Sequence, residues 1–101
     1  MRNSLSIFIE ETPEVQQGFD KLVQILRKSD GMDEKTKQLI FTGIKTSRGE
    51  TGAVVAHTRM LKKLGATRDE VKAAILISIL TNGLSGVSRC LEPALEAYDN
   101  G

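Results

Sequence analysis

Signals that start and stop helices follow one another along this chain with almost nothing between them, and that leaves one class of fold. Thr12 is a good N-cap, and Pro13 follows at the first helical position, where its missing N–H costs little. Val15, Phe19, Leu22, Val23 and Leu26 then repeat at helical spacing, and Gly31 ends the segment. Asp33 caps a second segment, with Glu34 near the positive end of its dipole. Its apolar side carries Leu39, Ile40, Phe41 and Ile44, and it stops near Ser47 to Gly49. A third segment runs from about Glu50 to Leu64, with Lys62 and Lys63 in the last turn and Gly65 just past it. Thr67 and Glu70 form a capping box that opens a fourth, reaching Asn82 or Gly83. A fifth spans about Ser85 to Tyr98, and Pro93 inside it predicts a kink or a split.

Leu5, Ile7 and Ile9 alternate in a weakly strand-like way, but a lone strand has nothing to pair with. Residues 1–11 therefore read as an N-terminal arm, either extended or a short helical lead-in, packed against a neighbouring subunit. The predicted fold is all-α: an antiparallel helical bundle of about five to six helices, in a single domain over residues 1–101.

A chain of 101 residues buries enough for a modest core, and apolar faces left over favour self-association. Ile75 to Leu80 is apolar almost all round, apart from Ser78, which predicts burial on several sides, in the core or between subunits. The net charge of +1 gives no field that would draw the protein to nucleic acid or to an acidic membrane. Phe8, Phe19, Phe41 and Tyr98 are too few aromatics for a base-stacking platform. The one cysteine, Cys90, excludes an intrachain disulfide framework and a CxxC redox pair, and reads as a small buried hydrophobe. With no leader pattern and no apolar run of about 18 residues, the expectation is a soluble cytoplasmic protein.

The chain's one histidine, His57, lies in the third segment, behind Glu50. At about 100° per residue Glu50, Ala53 and His57 share one helix face. The preceding helix offers Gln38, Thr42 and Lys45 as a facing polar strip. A carboxylate and an imidazole on one face suit proton transfer, because an imidazole titrates near ~6.5. About 10 Å of helix rise separates them, so a substrate or water has to sit between them, over Ala53. The plain structural alternative is a packed histidine and a helix-start charge. Arg48 lies just before Glu50, so an internal Arg48–Glu50 pair is its plain reading. Arg59, Lys62 and Lys63 look like an anion patch, but cations are ordinary at a helix C-terminus. One histidine with one or two carboxylates lacks a zinc-type ligand set, so no metal and no cofactor are expected.

The segment "DEKTKQLIFTGIKTSRGETGAVVAHTRMLKKLGATRDEVKAAI", Asp33 to Ile75, resembles the carboxymuconolactone decarboxylase and alkylhydroperoxidase D superfamily. The resemblance rests on "DEKTKQLI", on the histidine of the next helix, and on "HTRMLKKLGATRDEV" that follows. It extends to "ALEAY" near the C-terminal end, covering about Pro13 to Tyr98. It implies an alkylhydroperoxidase D-like all-α fold that assembles as trimers or hexamers. The peroxidase branch carries Cys-x-x-Cys-x-x-x-His with a glutamate on the preceding helix. Carried over by position, the histidine is His57, while Glu50 and Ala53 stand for the two cysteines and Gln38 for the glutamate. A disulfide-cycling peroxidase needs an attacking and a resolving thiol, and neither is at its place.

The decarboxylase branch keeps the histidine without the cysteine pair. The resemblance therefore implies a thiol-independent, lyase-type enzyme with His57 and Glu50 as proton-transfer groups, and Gln38 and Arg48 binding a small carboxylated substrate. The alternative is a non-catalytic small-molecule-binding or assembly protein on the same scaffold. A residual peroxidase is the least supported reading.

Overall fold

The computed structural model describes residues 2–101. The chain folds into α1 (Ser4–Glu11), α2 (Pro13–Lys28), α3 (Glu34–Ser47), α4 (Thr51–Lys63), α5 (Arg68–Leu76), α6 (Ile79–Asn82) and α7 (Ser85–Asn100), with no strand among the described residues. It divides into two compact units, Met1–Gly31 and Met32–Gly101.

In the first unit the alternating start of the chain is a helix. Asn3 accepts from the Ser6 N–H while the Ser6 hydroxyl accepts from the Asn3 N–H, at 2.9 Å each, a complete capping box. Locally satisfied N–H groups favour α1 over an extended arm that has no partner strand. Pro13 starts α2 as its spacing predicts. Neither helix contains a buried residue.

In the second unit the caps lie where the sequence puts them. The Asp33 carboxylate accepts from the Thr36 N–H at 2.7 Å, and Thr67 and Glu70 close a capping box. The core joins Val54 and Leu61 of α4, Val71 and Ile75 of α5, Cys90 and Ala94 of α7, and Ala66 between α4 and α5. Leu39, Val87, Leu91 and Tyr98 pack against it. Thr42, Thr46 and Thr58 are fully buried, and each hydroxyl donates to the carbonyl four residues back at 2.8 Å. Their polarity is thereby satisfied inside the bundle. Gly86 permits close approach of α7 to α3, because a Cβ there would lie 2.0 Å from the Thr46 carbonyl oxygen.

Three expectations change. The fourth segment is broken into α5 and α6, since Ser78 donates both its N–H and its hydroxyl to the Ile75 carbonyl, and i→i+3 bonds follow at Leu80 and Thr81. The all-round apolar run is divided: Ile75 is in the core, whereas Ile77 is 59% and Leu80 80% exposed. Pro93 does not split α7, which runs unbroken from Ser85 to Asn100. The Arg89 carbonyl, which an N–H at position 93 would have met, belongs to an exposed residue, where water can serve it.

The last turn of α7 is clasped to the rest of its unit. The Tyr98 hydroxyl donates to the Ala66 carbonyl at 2.8 Å, and Lys62 donates to the Tyr98 carbonyl at 2.6 Å. Arg68 grips Asp99 with two bonds, at 2.9 and 3.2 Å. No helix among the described residues is long and apolar enough to cross a membrane.

Two predictions follow from caps and close approach. Gly86→Ala should lower stability by roughly 1–3 kcal/mol through overpacking against backbone, whereas Gly52→Ala, with nothing within 4 Å, should be neutral or slightly stabilising. Thermal melts of both variants check this pairing. The second concerns acid. The Thr36 N–H holds the Asp33 carboxyl below its ordinary value, the Thr67 N–H and then Lys35 do so for Glu70, and Arg68 does so for Asp99. Folded values below unfolded ones give stability that is present above the ordinary carboxylate range and lost as pH falls through the lowered values. The melting temperature should therefore be flat from about pH 7 to 5 and fall below about pH 4. Asp33→Asn, which keeps a cap without a charge, should flatten that fall in a pH series of melts.

Candidate functional site

His57 sits halfway along α4, at the edge of its buried face. Val54, Thr58 and Leu61 are enclosed, and the half-buried imidazole lies beside them on the flank toward α3. There it meets Gln38, whose side chain is buried. His57 Nδ1 and Gln38 Oε1 are 2.6 Å apart. An amide oxygen only accepts, so Nδ1–H donates to it, and the lone pair of the neutral ring is on Nε2. Gln38 thus sets the tautomer of His57. Phe41, one turn on from Gln38, lies with its ring centroid 4.2 Å from that of His57, tilted by 41°.

The contacts continue along α3 to the start of α4. The Lys45 ammonium lies 5.4 Å from the centre of the Phe41 ring and 3.1 Å from Glu50 Oε1. Glu50 is the residue before α4, with φ −86° and ψ 76°, so its backbone is outside the helix. Arg48 Nε is 2.8 Å from Glu50 Oε2. That is an ionic contact without an N–H aimed along it, and this buried oxygen has no aligned hydrogen bond among the described residues. The Arg89 side chain covers Gly49, where a Cβ would lie 3.4 Å from both Cδ and Nη1. Gly49 takes a positive φ of 69°, which closes the turn between α3 and α4.

The four residues singled out by sequence therefore fall into two groups. Gln38 and His57 are joined directly. Glu50 and Arg48 pair with each other, as the simpler sequence reading allowed, and Lys45 and Phe41 stand between the two groups. Sequence reasoning placed Phe41 on an apolar stripe and missed its contact with His57; its i+3 spacing from Gln38 was the available signal. Arg89 carried no sequence signal, since only the packing of α7 brings it to Gly49.

Cys90, distant in sequence, lies 3.6 Å from the Thr51 hydroxyl at the first turn of α4, and it is fully enclosed. Two surface hollows, of about 310 and 350 Å³, lie elsewhere, and neither is lined by His57, Gln38, Glu50 or Arg48. No cluster of three His, Cys, Asp or Glu side chains suited to a metal ion occurs among the described residues.

An all-α scaffold with a histidine oriented across two adjacent helices defines a class of small helical proteins rather than one activity. Sequence and structure comparisons narrow it. The Carboxymuconolactone decarboxylase family profile matches residues 13–96. The chain is also similar to the apo crystal structure of a carboxymuconolactone decarboxylase family protein from Legionella pneumophila. The TM-score is 0.81 at 31% identity, over 95% of this chain and 85% of that one. No curated protein matches the sequence. The chain belongs to the carboxymuconolactone decarboxylase family.

Gln38→Leu should cost roughly 1–3 kcal/mol, because the imidazole N–H loses its acceptor while partly buried. Gln38→Glu should retain the bond. Proton NMR checks both: the downfield imidazole N–H signal should persist in the wild type and Gln38→Glu and vanish in Gln38→Leu.

Proposed function

We propose that the protein is a thiol-independent, lyase-type enzyme of its family, acting in the cytoplasm on a small carboxylated substrate. His57 moves the proton. The observation that carries this reading is the 2.6 Å contact between His57 Nδ1 and the buried Gln38 amide oxygen, which supports Nε2 as the proton-transfer atom. Around the α3–α4 turn, three cations, Lys45, Arg48 and Arg89, accompany the single carboxylate Glu50. That surplus of positive charge suits an anionic substrate. In a decarboxylation the bond to the carboxylate carbon breaks, CO₂ leaves, and the electron pair stays on the substrate carbon. His57 acts in its imidazolium form: the Nε2 proton passes to that carbon and leaves the neutral ring, with Nδ1–H donated to Gln38 Oε1 before and after. Glu50 Oε2 accepts from a substrate hydroxyl or a water.

A second reading, a non-catalytic ligand-binding or assembly protein, is favoured by one observation: the two hollows described above do not include His57. We further propose that the protein is a homo-oligomer, a trimer or hexamer. Support comes from Leu80, Leu5 and Val15, which are 80%, 66% and 62% exposed.

A panel of small lactone and keto carboxylates, assayed for CO₂ release and for solvent deuterium in the product, tests the enzyme reading. His57→Gln should lower turnover about 10²- to 10⁴-fold and leave the melting temperature within a few degrees of wild type. Equal turnover in the variant would end the proton-transfer role. A peroxide-reduction assay should show no thiol-dependent activity, because Cys90 is enclosed. Turnover abolished by Cys90→Ser would overturn that.

A further inference from the structure

Two apolar surfaces of this protein face solvent, and they match in kind. One is a face of α2. Val15, Phe19, Leu22 and Leu26 recur at i, i+4, i+7 and i+11, within about 60° of one another on a helical wheel. All four are more than half exposed, at 62%, 57%, 53% and 58%. Val23 and Ile25 widen the face, and the remaining positions of α2 are almost all polar or charged. This is the anchor pattern of a helix that lies in a groove. Nothing in its own unit explains its stability. The unit ends at Gly31, its two helices contain no buried residue, and folded units below about 40 residues need outside support. A helix of 16 residues is marginal alone in water.

The second surface is the hollow of about 350 Å³ between α3 and the α5–α6 segment. Its walls are Leu39, Ile40 and Ile44 on one side and Ile77 and Leu80 on the other. No charged residue lines it; its polar lining is Ser47, Ser78 and Thr81. Ile40, Ile44, Ile77 and Leu80 are 47%, 54%, 59% and 80% exposed.

We infer that α2 of one copy docks in the α3–α5–α6 hollow of a second copy. The contact rests on the homo-oligomeric reading above and says which surfaces make it. Each chain carries one helix face and one hollow, so copies satisfy one another one for one. Area decides the kind of assembly. Burying a large apolar side chain removes on the order of 60–120 Å² from water. Ten half-exposed side chains, six on α2 and four in the hollow, then give roughly 600 Å² of apolar burial. A standard interface of about 1,600 Å² holds about 900 Å² of apolar area. One such contact is therefore at the weak end, and two per copy are in the stable range. Helix face and hollow are different surfaces, so a head-to-tail repeat of the contact is heterologous and closes as a ring. Made reciprocally between two copies it is an isologous pair, and in both arrangements each copy makes it twice.

The experiment uses two full-length variants, Leu22→Asp on α2 and Leu80→Asp in the hollow, with sedimentation up to about 100 μM. Both positions are exposed, so circular dichroism should show that the second unit still melts cooperatively. If Leu80→Asp does not, Ile44→Lys on the opposite wall replaces it. Each variant alone should sediment at the monomer mass of 11.1 kDa, at least tenfold below the wild type's self-affinity. Mixed in equal amounts, the two should form a 1:1 dimer, because the mixture restores one intact helix and one intact hollow. Monomers that do not pair on mixing overturn the contact. A variant that alone keeps the wild-type mass also overturns it and leaves the oligomeric reading standing. A wild type that is itself monomeric overturns both.

Discussion

The burial of Val54, Thr58 and Leu61 along one side of α4 is the constraint on which the rest of the second unit depends. These side chains are fully enclosed, so α4 cannot rotate about its axis without exposing them. That fixes the direction of every other side chain on the helix. His57, three residues after Val54, is left at the margin of the buried face, where α3 passes. Thr58 strengthens the constraint, since its hydroxyl is satisfied within α4 and needs no partner elsewhere. The candidate site is thus held by the core through the orientation of a single helix. Gln38 completes it from α3, whose own orientation is set by buried Thr42 and Thr46.

Charge is arranged around the same helix with a clear division of labour. Carboxylates that cap or clasp helices, Asp33, Glu70 and Asp99, have short, fully formed partners. Glu50 differs. It touches two cations, yet one of its buried oxygens has no aligned donor. A buried acceptor left in that state is unusual in a folded protein. It stands at the turn where Gly49 brings Arg89 over the backbone. In a thiol peroxidase of this superfamily the corresponding stretch is expected to carry the cysteine pair. Here Glu50 and Ala53 occupy those positions, and the lone thiol of Cys90 is enclosed beside Thr51. No cysteine pair stands at this turn to carry disulfide exchange.

The two units use their apolar residues differently. In α4, α5 and α7 the apolar stripe is buried within the unit. On α2, and again around Ile77 to Leu80, an equally regular apolar pattern stays exposed. Periodicity reports that a face will be covered, not by what. The pattern on α2 is the cleaner of the two, yet it contributes nothing to the core of its own unit.

What the sequence determined by itself was the local grammar. Asp33, Thr67 with Glu70, Pro13, Gly49 and Gly65 start or end helices because capping and positive-φ turns depend on a few adjacent residues. The family resemblance along Pro13 to Tyr98 was legible for a similar reason, since it rests on fixed spacings around His57. Local hydrogen bonds chose a helix for Ser4–Glu11 and broke the fourth segment at Ser78, where a side chain competes for a backbone carbonyl. Tertiary structure decided three things. It kept α7 whole through Pro93, because the carbonyl left unpaired is at an exposed residue. It joined His57 to Gln38 while giving Glu50 to Lys45 and Arg48. It brought Arg89 and Cys90 from far along the chain to the turn before α4 and its first residue. A spacing along one helix fixes which residues share a face, but which residues of another helix they meet depends on packing between helices, and that is set by the whole core at once.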